Sequence, residues 1–268
     1  VFLGLNATLF AAWFQSPLPD ARYLVFAQNL AWPHPAAMAE AWSLAVEEWF
    51  YVLMPLLLLI SLKALPQPRQ AVPTLLALWV VMGAVARFVV AYVAAPEWDA
   101  GLRKIALLRL DAIAWGGLAA CWLHYRPARA AQTARLSFGV GVLGLLVSTL
   151  WLSGGVLSHF YPVMKFTGLF TLTGLSVALC LPAAVAWRPG PRLYIPWVSG
   201  LSRISYSLYL VHFSFALPLM QLPIVVAHTH LLWRTLGYVV VSVIAAYAAY
   251  RCIERPTLAL RERLVTRR

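Results

Sequence analysis

Glu47 and Glu48 stand side by side in "AWSLAVEEWFYVLMP", at the start of an apolar run that continues "LLLLISL". Arg87, Arg109, Asp111, Arg203 and His212 are likewise set inside long apolar runs. A charged side chain at the centre of a membrane helix costs about 2.5–3.5 kcal/mol on insertion scales. Groups kept in hydrocarbon at that cost mark ion pairs, substrate paths or proton relays, and are a functional-site hypothesis by default. Structural readings stand beside it. Carboxylates in the first turns of a helix are favoured by its dipole. That accounts for one glutamate more easily than two, because helical neighbours point about 100° apart. Arg87 can snorkel to a headgroup layer. Arg109 and Asp111 are two residues apart, face nearly opposite sides of a helix and cannot pair with each other, so each needs a partner elsewhere.

Polar residues near these charges recur at helical spacing. Ser202, Ser205, Tyr209 and His212 form one stripe beside Arg203; Ser43, Glu47, Tyr51 and Met54 form another. Such stripes serve as inter-helix hydrogen bonding, or line a path between the two sides of a membrane. His124, His159, His228 and His230 fall in or near loops; His228 and His230 in "AHTH" have no third ligand, and no metal site is expected. Cys121, Cys180 and Cys252 lie in or beside apolar runs without metal spacing and read as buried thiols.

The elements that must hold these residues are membrane helices. The chain has 268 residues, 62% of them hydrophobic and 11% charged, with a mean hydropathy of +0.76. A soluble domain carries about 25% charged residues. The net charge of +12 does not point to nucleic acid, because the basic residues lie between apolar runs. An all-α polytopic bundle of about eight spans is predicted, near 1–15 (partial), 42–62, 72–94, 105–124, 135–152, 163–186, 197–218 and 232–252. The whole of 1–268 reads as a single membrane domain. One set of alternate loops plus the C-terminal tail holds 13 Lys and Arg; the other set holds five. The excess places the C-terminus in the cytoplasm and the loop 16–41 outside. Asp111 then lies roughly 10 Å below the outer end of its helix. Glu47, Glu48, Arg87, Arg109 and His212 are expected at a similar depth. The chain starts at Val1 with only 14 apolar residues, "VFLGLNATLFAAWF", where a span needs about 20. It is expected to be a piece that lacks its first helices.

The stretch "WSLAVEEWFYVLMP" resembles the acyltransferase-3 family of bacterial membrane-embedded acyltransferases. "RLDAIAWGGLAA" (109–120), "LSRISYSLYLVHF" (201–213) and "IERP" (253–256) fit the same family in the same order. The resemblance runs from "QNLAW" to the "ERP" near the chain's end. It implies a ten-helix type of membrane domain in the bacterial cytoplasmic (inner) membrane. It also implies transfer of an acyl group, commonly acetyl, from acyl-CoA as co-substrate to a hydroxyl of a carbohydrate or cell-envelope glycan. Family members carry a histidine taken as catalytic on an early helix and an Arg-rich turn after it. Neither matches a segment of this chain, so the piece alone is expected to be inactive.

Under that resemblance the catalytic candidates are Glu47, Glu48, Arg109, Asp111 and His212. A base removes the hydroxyl proton, and cationic or hydrogen-bonding groups hold the oxyanion. A glutamate would orient the base or bind the acceptor, Arg109 would hold the oxyanion, Asp111 would balance charge, and His212 would be a second base or proton relay. Substrate-binding candidates are Ser43, Tyr51, Arg203, Ser205, Tyr206 and Tyr209, with Arg203 and the cytoplasmic arginines suited to CoA phosphates. The competing expectation is a polytopic transporter of a small or acylated metabolite. A degenerate or purely structural membrane partner is the third.

Overall fold

Proline sets where the helices begin. In this computed structural model, which describes residues 19–152, 162–187 and 196–265, five helices start on a proline: Pro68, Pro127, Pro162, Pro196 and Pro223. At the first helical position the missing N–H has no partner to lose and the fixed φ already suits the helix. The described helices are α1 (Trp42–Ala64), α2 (Pro68–Ala94), α3 (Asp111–Tyr125), α4 (Pro127–Leu152), α5 (Pro162–Ala186), α6 (Pro196–Val211), α7 (Leu217–Met220), α8 (Pro223–His228), α9 (Leu231–Ala249) and α10 (Arg255–Val265). No strand occurs among the described residues. The predicted starts at 72 and 135 therefore move back to 68 and 127, and Arg129 and Arg135 sit on α4 rather than in a loop. The partial span 1–15, His159, Arg188 and Arg192 lie outside the described residues.

Six described segments are long and apolar enough to cross a membrane: Ala39–Ala64, Pro68–Ala94, Ala106–Tyr125, Pro127–Leu152, Thr167–Ala186 and Leu231–Leu264. Val52, Leu56, Leu59 and Ile60 of α1 are all more than half exposed, an apolar face that suits lipid and not water. The predicted span 197–218 is interrupted. α6 stays regular for 16 residues, then passes through a π turn at His212–Ala216. A second π turn, Tyr250–Glu254, separates α9 from α10, so the basic C-terminal segment is helical. Cys252 lies on that turn and is exposed, and Cys121 and Cys180 are half-buried, so none is the fully buried thiol predicted.

The chain divides into two compact units. The larger, Phe26–His34 with Trp42–Arg188, holds α1 to α5. Its core packs Phe50 against Trp79, ring centroids 4.8 Å apart and nearly perpendicular, with Leu75, Leu76 and Ala114 around them. α4 and α5 approach closely because Gly141 offers no Cβ; one there would stand 2.6 Å from Cys180 Sγ and from the Ser176 carbonyl oxygen. The segment around Asn29 is part of this unit rather than a free loop. Asn29 is fully buried, and its amide donates to the carbonyls of Trp42 and Lys104.

The smaller unit holds Pro35–Ala41 and α6 to α10, with the segment before Phe26. Ile204, Val211 and Ala246 form its core where α6 and α9 pack. Ser207 of α6 donates to Glu254 at 2.5 Å, which ties together two of the motifs quoted above, "LSRISYS" and "IERP".

Candidate functional site

In the smaller unit the seam between α6 and α9 carries two neighbouring cavities. One, of about 720 Å³, is lined by Arg203, Arg251 and Arg255 with Ile204, Tyr247 and Tyr250. The other, of about 430 Å³, is lined by Ser205, Tyr209, His212, Tyr238 and Ser242. Val243 borders both. Arg203 and His212 are nine residues apart along α6 and the π turn that follows it, roughly 13 Å at 1.5 Å per residue. The three arginines sit at one end of this seam. Glu254, the carboxylate between Arg251 and Arg255 in sequence, is occupied by the Ser207 hydroxyl. Planar guanidinium groups collected in this way suit phosphate oxygens.

His212 opens the π turn. Its Nδ1 lies 2.7 Å from the Tyr209 carbonyl oxygen and 3.2 Å from that of Leu208. A carbonyl only accepts, so Nδ1 carries the proton, and the neutral ring keeps its lone pair on Nε2. No described residue hydrogen-bonds to Nε2. A π turn inserts one residue into the helical ladder and often marks a functional position.

Glu40 was not among the candidates. It is buried in a 3-10 turn, Ala39–Ala41, just before α1. Its Oε2 accepts from Ser214 at 2.5 Å, its backbone carbonyl accepts from the Tyr209 hydroxyl at 2.8 Å, and Oε1 has no hydrogen-bond partner. Glu40 and His212 are close enough to interact electrostatically. Its signal was present in the sequence: Glu40, Ser43, Glu47 and Tyr51 follow one another at three, four and four residues.

The larger unit holds Ser43, Glu47, Glu48, Tyr51, Arg109 and Asp111. Arg87 does not snorkel. It is fully buried and grips Asp111 with two parallel hydrogen bonds, and it donates also to the Leu108 carbonyl at 2.6 Å and to Thr171 at 3.2 Å. This desolvated guanidinium is held through its two terminal nitrogens by protein acceptors instead of by a headgroup layer, while its Nε has no hydrogen-bond partner. Asp111 thus finds the partner on another helix that its spacing from Arg109 required. Arg109 Cζ stands over Phe170, 4.0 Å from the ring centroid. Glu47, Glu48 and Tyr51 are exposed, and neither glutamate accepts a hydrogen bond from a described residue. Ser43 is half-buried. In the smaller unit Arg203, Ser205 and Tyr206 are exposed and Tyr209 is half-buried; Ser205 donates back to the Ser202 carbonyl. Asp111 and Arg109 are therefore brought together with Arg87, and His212 with Ser205 and Tyr209, each group within its own unit.

A comparison with family models, curated proteins and solved structures finds no match.

Proposed function

We propose that the chain is an integral membrane acyltransferase. It moves an acyl group, commonly acetyl, from acyl-CoA to a hydroxyl of a carbohydrate or cell-envelope glycan. In this reading it lies in the bacterial cytoplasmic membrane with its C-terminus in the cytoplasm. The observation that carries the reading is the α6/α9 seam: an arginine-lined cavity beside one that contains a histidine with a free Nε2. Arg203, Arg251 and Arg255 hold the nucleotide phosphates. His212 Nε2 takes the acceptor's hydroxyl proton, and that oxygen attacks the thioester carbonyl carbon. The carbon–sulfur bond then breaks, and the departing thiolate receives the proton from His212. Glu40 lends negative charge to the transient imidazolium.

Membranes that contain the protein as its gene encodes it are expected to release CoA thiol from acetyl-CoA when glycan acceptor is present. His212→Gln is expected to lower kcat by about 10²-fold or more. Arg203→Gln is expected to raise KM for acyl-CoA with kcat little changed. Adjacent cavities along one seam also suit a transport path. Substrate uptake without thiol release, unaltered by His212→Gln, decides for the transporter.

A further inference from the structure

The larger unit contains a third cavity, of about 660 Å³, with Trp42, Trp98, Arg103, Arg109, Trp115 and Phe170 in its walls. Its charges do not balance. Arg103 and Lys104 both pair with Asp99, and Arg87 pairs with Asp111. Glu97, the remaining acid nearby, is exposed and caps the backbone N–H groups of Asp99 and Ala100. Arg109 is left over. No described residue accepts a hydrogen bond from it; its charged neighbours are Asp111, whose two oxygens already accept from Arg87, and the like-charged Arg87 and Arg103.

The walls offer donors and aromatic faces. The indole N–H groups of Trp98 and Trp115 and Nε of Arg109 have no acceptor. Ser148, Thr149 and Thr173 also line the cavity, but their hydroxyl hydrogens go to carbonyls of their own helices. Phe170 carries Arg109 on one side and stacks on Trp98, ring planes within 3° and centroids 5.8 Å apart. Arg103 lies 5.1 Å from the Trp42 ring and 5.6 Å from that of Trp98. Aromatic faces soften the isolation of a cation but do not replace a counter-charge.

We propose that this cavity binds a small amphiphilic anion. A carboxylate or phosphate meets Arg109, and a CH-rich or apolar body rests against Trp98, Trp115 and Phe170. The same chemistry is offered by the headgroup of an anionic lipid and by a soluble acidic sugar. The lining residues all belong to the larger unit, and the proposal does not rest on acyl transfer at the α6/α9 seam.

The test uses the purified protein in phosphatidylcholine nanodiscs. In one arm a tenth of the lipid is phosphatidylglycerol, and retained lipid is counted by native mass spectrometry. In the other, glucuronate or glycerol phosphate is titrated against tryptophan fluorescence. Saturable binding of one equivalent is expected in one arm, and the arm identifies the source. Arg109→Gln is expected to weaken it at least tenfold, and Arg203→Gln, in the other unit, to leave it unchanged. Gly174→Ala supplies a variant with every charge intact: its Cβ would collide with Trp115, and binding is expected to fall severalfold. No saturable binding in either arm, or equal binding by wild type and Arg109→Gln with Gly174→Ala also unchanged, overturns the proposal.

Discussion

Arg87 of α2 and Asp111 of α3 are closed onto each other by two parallel hydrogen bonds, Nη1 to Oδ1 at 2.7 Å and Nη2 to Oδ2 at 2.8 Å. The side chains are 0% and 2% exposed. A bidentate pair at that burial holds its helices in one register, because removing either partner strands a charge. Asp111→Asn is expected to cost about 3–5 kcal/mol, read as a drop in thermal unfolding midpoint in detergent. Replacing both residues by apolar ones of similar volume is expected to recover most of the loss. Equal destabilisation by the single and double variants would show that the pair does not act as a unit.

Gly83 makes that pairing possible. A Cβ at Gly83 would stand 2.9 Å from both Cβ and Cγ of Asp111. Gly83→Ala is expected to push Asp111 off its bidentate geometry and to cost about 1–3 kcal/mol. Its effect should largely vanish in the background that already lacks the Arg87–Asp111 pair, which a double-mutant cycle measures.

Two glycines on α4 are expected to respond in opposite directions. Gly141 is buried against Cys180 and Ser176, whereas Gly139 has nothing within 4 Å of a Cβ position. Gly141→Ala is expected to destabilise by about 1–3 kcal/mol through overpacking. Gly139→Ala is expected to stabilise by up to about 1 kcal/mol through helix propensity. Parallel unfolding curves for the two variants check the sign of each.

Acid should weaken the turn before α3. Burial raises the Asp99 pKa, but hydrogen bonds from Lys104 and Arg103 outweigh that and hold the carboxyl below its usual value. A depressed folded pKa means the unfolded chain binds more protons, so stability rises with pH through this window. The contribution is complete above about pH 4, near the unfolded carboxyl value, and is lost as pH falls through the lower folded one. The pair is partly exposed, so about 0.2–1 kcal/mol is expected. Asp99→Asn should flatten the unfolding midpoint against pH between about 4 and 3, and lower it by a constant amount at neutral pH, where the lost contribution is fully present.

Much of the scaffold was legible because hydropathy is local. A run such as "LWVVMGAVARFVVAYVAA" (78–95) can only be a buried or lipid-facing helix, whatever it packs against. The helix starts were legible too, in the prolines, but apolar windows place a boundary where hydrophobicity rises and not where the backbone turns; hence 68 for 72 and 127 for 135. Pairing was not legible. That Asp111 needed a partner followed from its spacing to Arg109, but Arg87 could be chosen only once α2 and α3 had packed. Glu40 shows the converse limit. Its spacing to Ser43 and Glu47 was in plain view, yet it lay in a stretch that read as a loop, and its burial depends on Ser214 and Tyr209, more than 160 residues away.

By itself, the sequence determined that this is an all-helical membrane protein whose charges are few and confined to particular helices. Composition and period are properties of neighbouring residues, and the free energy of placing them in lipid or water does not wait for a fold. The tertiary structure decided which charges neutralise each other, which glycines admit a neighbour, and which nitrogen of His212 keeps its lone pair. Those outcomes rest on hydrogen bonds a few ångströms long between residues far apart in the chain or across a turn of irregular backbone. Their energies exist only after packing has removed the water that would otherwise satisfy each group alone.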